Sequence, residues 1–258
     1  MTAKIDLPTG QKPLIEMKQV SKTYYSASGN FTALKNIRLD FFRGEFVGVI
    51  GKSGSGKSTL VNMITGIDHP SEGKVYVNNL DIHTMPESKQ ARWRGNNLGV
   101  VFQFFQLLPM LNLIENVLLP MDFCNMYEPA ERPGRAMELL QMVGLAELAY
   151  NLPGSVSIGQ QQSAAIARAL ANDPPIIVAD EPTGNLDLKT ADAVYALFEE
   201  LAAGGRTIIM ITHDPEIASR LTRTVTLKDG ELVNPSSIQG IPESDTTGLT
   251  DANKGLTR

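Results

Sequence analysis

The run Gly51-Lys52-Ser53-Gly54-Ser55-Gly56-Lys57-Ser58-Thr59 carries the residue types and spacing of phosphate chemistry. It follows the apolar stretch Phe46-Val47-Gly48-Val49-Ile50 and precedes Leu60-Val61-Asn62-Met63-Ile64. That is the strand, glycine-rich loop and helix order in which a phosphate-binding loop works. Glycines let the backbone curl so that several N–H groups point inward, and the following helix N-terminus adds positive potential. Lys57 can then reach the β- and γ-phosphates of a nucleoside triphosphate, and the Ser58 hydroxyl is placed for Mg²⁺. A flexible glycine–serine turn is the plain alternative, and the flanking strand and helix speak against it.

A second constellation lies at Ile176-Ile177-Val178-Ala179-Asp180-Glu181, an apolar strand ending in two adjacent carboxylates. Ligands of parallel α/β sheets sit at the carboxyl ends of strands, so Asp180 and Glu181 should emerge beside the phosphate loop. One carboxylate can help hold Mg²⁺, directly or through water. The other can orient and deprotonate the water that attacks the γ-phosphate.

These residues need a scaffold. Leu14-Ile15-Glu16-Met17, residues 34–42 and Lys74-Val75-Tyr76-Val77 read as short strands of a small, partly antiparallel region around the loop. Leu98-Gly99-Val100-Val101-Phe102 is a further strand. From about 104 to 152 the pattern turns helical, with helical spacing over 135–143 stopped by Gly144. Residues 176–179 and 207–212 are apolar almost throughout, as expected for parallel strands covered on both faces, with a helix expected over 190–203 between them. Asp229-Gly230 between two short apolar runs predicts a hairpin. Residues 235–258 are polar and read as a mobile tail.

Composition narrows the class. A chain of 258 residues can bury a proper core, and its net charge of −5 argues against bulk attraction to nucleic acid or anionic lipid. The single cysteine, Cys124, excludes an intrachain disulfide and fits a reducing compartment. Residues 1–13 lack the apolar core of a signal peptide, and no apolar run is long enough to span a bilayer. His69, His83 and His213 show no zinc spacing. The expectation is a cytosolic nucleotide-binding protein.

With both motifs in view, residues 14–233 resemble the ATP-binding subunit of an ATP-binding-cassette transporter. Asp180-Glu181-Pro182-Thr183-Gly184-Asn185-Leu186-Asp187 is similar to that family's magnesium strand, catalytic glutamate and following loop. His213 matches its switch histidine at the γ-phosphate, and Gln103 the glutamine that senses Mg²⁺ and the attacking water. Tyr24 matches the aromatic that stacks on adenine, with Tyr25 the alternative. An aromatic face suits a nucleobase. The resemblance implies an α/β fold of the P-loop NTPase type: a RecA-like parallel-sheet core, an antiparallel β subdomain and a helical subdomain inserted at about 104–160. It implies ATP and Mg²⁺ as cofactors, a separate transmembrane permease, and a second cassette as a homodimer or heterodimer partner. The place of action would be the cytoplasmic face of the cell membrane.

Within Val156-Ser157-Ile158-Gly159-Gln160, the residues Ser157, Gly159 and Gln160 match the family's Leu-Ser-Gly-Gly-Gln signature. Ile158 replaces the first glycine, and Ser163 replaces an arginine three residues after the glutamine. Ser157 and Gln160 also form a helix capping box, and both readings can hold together. In the family this helix start meets the γ-phosphate of the opposite subunit, so Ser157, Gly159 and Gln160 would complete a neighbour's site. Ile is stiff, disfavours positive φ and adds bulk there.

Residues 104–117, following Gln103, are similar to cassettes of the lipoprotein-release and macrolide-export type. The same apolar run could dock a membrane partner's helix, pack the helical lobe, or do both. Two rivals stand beside the transport reading. One is a low-turnover regulatory subunit, motivated by Ile158. The other is a soluble cassette ATPase acting on nucleic acid or ribosomes, whose usual coiled coils and basic extensions are not visible.

Overall fold

A computed structural model describes residues 12–27, 29–184, 186–212 and 216–233. His213 and the tail proposed for 235–258 lie outside these residues.

The chain opens with a long hairpin, β1 (Ile15–Ser26) and β2 (Gly29–Phe41), and then crosses to β3 (Phe46–Ile50) and α1 (Lys57–Thr65). It returns through β4 (Glu72–Val77) and β5 (Leu80–Asp81), runs along α2 (Glu87–Asn97), and enters β6 (Leu98–Val101). A helical lobe follows, with α3 (Leu113–Cys124), α4 (Arg132–Met142) and α5 (Ile158–Ala169) packed on one another. The last described elements are β7 (Ile176–Asp180), α6 (Leu188–Ala203), β8 (Thr207–Thr212), β9 (Arg223–Lys228) and β10 (Glu231–Val233).

Two sheets result. The antiparallel one has the order β2-β1-β4-β5, and the six-stranded one the order β10-β9-β3-β8-β7-β6, parallel apart from β10. Alternation along each central strand divides the core in two. Phe46, Ile177, Ala179, Ile208 and Met210 face the helical lobe and α6, while Val47, Val49, Val178, Ile209 and Ile211 face α1 and the antiparallel sheet. Each strand therefore buries both faces, the reason it reads as unbroken apolar sequence. Each fully buried Val, Ile or Phe contributes about 1.5–3 kcal/mol.

Several expectations shift. The first hairpin is much longer than the two short strands foreseen. Its pairing runs from Ile15↔Phe41 to Ser26↔Gly29, with irregular register between Met17 and Thr23. Gln19 and Asn36 adopt φ of 53° and 50° beside those irregularities. Such bulges break the period-2 pattern that would have marked the strands in sequence. Helix α2 was not foreseen, because Glu-Ser-Lys-Gln-Ala-Arg-Trp-Arg-Gly-Asn-Asn has no apolar stripe and buries only Gln90. Helix α5 runs past residue 160 and belongs to the same packed core as α3 and α4. The predicted hairpin forms as a two-residue turn, with Asp229 and Gly230 both at positive φ.

Candidate functional site

The phosphate loop is fixed by close backbone contacts. A side chain at Gly51 would place its Cβ 2.2 Å from the Leu227 carbonyl oxygen and 2.7 Å from Ser55 Oγ. Gly56 has φ 104°, and a Cβ there would lie 2.4 Å from the Ala33 carbonyl oxygen. Only glycine fits either position. The tip of the β9–β10 hairpin braces the loop, since Gly230 N–H donates to the Ser55 carbonyl at 3.0 Å. Lys57 is buried, and its ammonium donates to the Gly51 and Lys52 carbonyls at 2.9 and 3.0 Å. Two of its three N–H bonds are thus spent on holding it under the loop, and the third remains for a phosphate oxygen. Gly56 is the N-cap of α1 and brings no side-chain acceptor, so the first-turn amides stay available for an anion.

Strand β7 delivers Asp180 beside that loop, where the Ser58 hydroxyl hydrogen-bonds its carboxylate. Burial pushes the Asp180 pKa up, and the neighbouring Glu181 charge adds to the shift; the Ser58 bond and the Lys57 cation oppose it. Glu181 leaves the strand with φ 46°, in the left-handed region, while its N–H still pairs with the Ile211 carbonyl at 2.9 Å. The turn aims its carboxylate back at the segment after β6. There, Gln103 Nε2 donates to Glu181 Oε2 at 3.0 Å.

Ser53, Gly54, Gly56, Lys57, Ser58, Thr59, Gln103, Asp180 and Glu181 line one cleft of about 350 Å³, with Gly51, Lys52 and Ser55 forming the loop beneath. Its far wall is Phe31 and Ala33 of β2. Phe31 was not anticipated. It is 61% exposed and pairs directly opposite Tyr24 across the hairpin, so the two rings share a face. Tyr25 pairs with Asn30 and points the other way. Strand pairing is a long-range fact, and no local signal marks Phe31.

Ser157, Gly159 and Gln160 do not line this cleft. They form the start of α5, with Ser157 exposed and Gly159 and Gln160 half-buried, and the capping box there is complete: Gln160 N–H donates to Ser157 Oγ at 3.2 Å, and Ser157 N–H to Gln160 Oε1 at 2.8 Å. Ile158 is the first residue of α5 and is 54% exposed. It is absent from the positive-φ residues, so the backbone strain anticipated for a β-branched residue does not arise. Only its bulk remains. Asp187 caps α6, accepting from Thr190 N–H at 3.1 Å and Thr190 Oγ1 at 2.6 Å.

A separate groove of about 730 Å³ lies between α2, α3 and the segment after Gln103. Phe102, Leu108, Leu119 and Phe123 give it apolar walls, and Arg92, Arg94 and Arg168 give it positive charge. Arg168 donates to the Gln106 and Phe105 carbonyls at 2.5 and 2.7 Å, pinning that segment to α5. The apolar run after Gln103 divides between the lobe's core and the surface. Leu113, Ile114 and Val117 are buried in the lobe, whereas Phe104 and Met110 are more than 70% exposed. Among the described residues there is no group of three or more His, Cys, Asp or Glu side chains able to hold a metal. No helix among them is long and apolar enough to cross a membrane.

Comparison with known proteins agrees with this fold. A family profile described as "ABC transporter" matches residues 34–184. The ABC transporter ATP-binding protein MJ0796 of Methanocaldococcus jannaschii is 43% identical over 236 residues, 89% of this chain and 100% of that protein. Its dimeric structure, in a post-hydrolysis state bound to ADP and Pi, superposes with a TM-score of 0.81 at 42% identity, covering 85% of this chain and 97% of that one. The lipoprotein-releasing system ATP-binding protein LolD of Shewanella oneidensis is 40% identical over 89% of this chain and 100% of its own. The macrolide export ATP-binding/permease protein MacB of Marinobacter nauticus is 41% identical over 95% of this chain, which spans only 38% of that longer protein.

Proposed function

This chain belongs to the ABC transporter family as an ATP-hydrolysing subunit that powers a membrane transporter, and we propose that the Gln103–Glu181 pair beside the phosphate loop is its hydrolytic centre. We take the ATP-binding domain to span residues 14–233, with its helical part inserted between β6 and β7.

In this reading, Tyr24 stacks on adenine and the loop 51–59 wraps the phosphates. The α1 amides and the Lys57 ammonium carry the charge that develops as the bond from the γ-phosphorus to the β–γ bridging oxygen breaks. Glu181 takes the proton of the attacking water, and Gln103 holds that carboxylate in line. The donor set fits Mg²⁺: the Ser58 hydroxyl and Asp180 carboxylate are hard oxygen ligands that already meet through a hydrogen bond, with Gln103 close by. When bound, the ion would neutralise phosphate charge. His213 is assigned to the γ-phosphate on the family pattern alone. Ser157, Gly159 and Gln160 act on the partner cassette's nucleotide, and their place at a helix N-terminus, where Ser157 is exposed and Gly159 and Gln160 are half-buried, suits that role.

The partner that converts this cycle into transport is a transmembrane permease on a separate chain. Its docking place is the groove beside α3. An amphipathic helix with one apolar face and an acidic residue would match apolar walls flanked by three arginines. Such docking places the chain on the cytoplasmic face of the cell membrane.

The observation carrying the reading is that Lys57, Ser58, Asp180, Gln103 and Glu181 converge on one cleft. Steady-state ATPase and nucleotide-binding assays on Lys57→Ala test it. Tight ATP binding should be lost, and parent-like affinity would remove the phosphate loop from the site.

A further inference from the structure

Helix α1 begins in the phosphate loop, and its other end reaches the base-binding strand. Gly66 caps its C-terminus, and the N–H groups of Ile67 and Asp68 fold back to the Asn62 carbonyl at 3.0 and 3.3 Å. Asp68 is thereby fixed to the helix two residues beyond its cap. Its carboxylate accepts from Tyr24 Oη at 3.1 Å on one oxygen and from Lys22 Nζ at 2.7 Å on the other. Lys22 also donates to the His69 carbonyl at 2.8 Å, and His69 N–H closes the arrangement on Asp68 at 2.7 Å. Burial opposes the ionised carboxylate, but the bonds from Lys22, His69 N–H and Tyr24 outweigh it and hold the Asp68 pKa below its ordinary value.

The Lys22 ammonium in turn stands over the Tyr24 ring, 4.9 Å from its centroid. One face of the ring is capped by the cation, so a stacking base would take the opposite face. Tyr24 is held at its hydroxyl, at its face and along its backbone in β1.

We infer that Asp68 is the positioning residue of the nucleobase site, holding Tyr24 and Lys22 against α1 so that base platform and phosphate loop keep a fixed separation. The inference rests on the reading of Tyr24 as that platform. A nucleoside triphosphate is grasped at two ends, and a ring free to swing would have to be ordered at each binding event. Asp68 removes that cost by tying the ring to the helix that already carries the phosphate site.

The test uses the full chain, with ATP affinity from calorimetry, steady-state ATPase kinetics and melting curves. Asp68→Ala should raise Kd and KM for ATP about five- to tenfold with kcat within about twofold, the scale of a lost charge-assisted bond. Tyr24→Phe keeps the ring but not the hydroxyl and should show a smaller loss of the same kind. Asp68→Asn, which retains an acceptor, should fall between Asp68→Ala and the parent. In a Tyr24→Ala background, Asp68→Ala should cost no further affinity. Additive losses in that double variant, or a fall in kcat at unchanged KM, would overturn the assignment. A large loss in Tyr24→Ala beside a parent-like Asp68→Ala would also overturn it while sparing the platform. Parent-like affinity in Tyr24→Ala would instead remove the platform itself, and the inference with it.

Discussion

Gln103 and Glu181 meet at 3.0 Å although 78 residues separate them, one leaving β6 and the other leaving β7. The two strands are neighbours in the parallel sheet, with Val101 registered on Ala179. Sheet pairing therefore brings the proposed base and its orienting amide to the same edge. Arg168 holds the other end of the Gln103 segment, so the groove and Glu181 are linked by two hydrogen bonds and the short stretch of chain between Gln103 and Phe105.

Glu181→Gln should keep ATP affinity while slowing hydrolysis by about two or more orders of magnitude, the usual loss on removing a general base. Gel filtration with ATP should show a dimer that persists. Parent-level turnover would move the base elsewhere.

Ile158→Gly should raise ATP turnover and leave the monomer's ATP affinity unchanged, because the exposed Ile side chain would meet only a partner's nucleotide. Glycine at the first helical position costs at most about 1 kcal/mol, seen as a small drop in melting temperature. A stably folded variant with equal or lower turnover would show that the bulk is accommodated, and the low-turnover reading would lose its motive.

Asp180 gives a pH prediction. Its folded pKa lies above the ordinary carboxylate value, chiefly through burial and then through the Glu181 charge. The folded chain thus binds this proton more tightly than the unfolded chain does. The stabilisation is fully present below the ordinary carboxylate range and is lost as pH rises through the raised value. Asp180→Asn should therefore gain melting temperature over the parent at neutral pH, without nucleotide, and show little gain near pH 4. A gain of equal size at both pH values would contradict this. The same variant should lose Mg²⁺-dependent ATPase.

Phe123→Asp should disrupt docking without touching the nucleotide site. Phe123 is 77% exposed on the groove wall, so the fold should tolerate the change. Recovery of the transmembrane partner from detergent-solubilised membranes should fall while ATP affinity and melting temperature hold. Undiminished recovery would place the permease on another surface.

Sequence marks the proposed site wherever its residues are contiguous. The phosphate loop, the Asp180-Glu181 strand end and the Asp229-Gly230 hairpin are local patterns, and each takes the conformation its chemistry demands. Elements defined by pairing or by polar packing were not legible. Phe31 reaches the cleft only because β2 lies in register with β1, and Asp68 meets Tyr24 across 44 residues. Helix α2 is held by Gln90 and its neighbours, not by an apolar stripe, so periodicity could not reveal it.

Glu181 pairs a proposed catalytic role with a left-handed backbone that costs a non-glycine residue about 1–3 kcal/mol. Glycine or asparagine would relieve that cost and remove the carboxylate together. Directed evolution of this chain for heat resistance alone would therefore reward substitution at Glu181 and enrich thermostable, inert variants. A screen for stability has to score turnover in the same round, because at this residue selection for one property erodes the other.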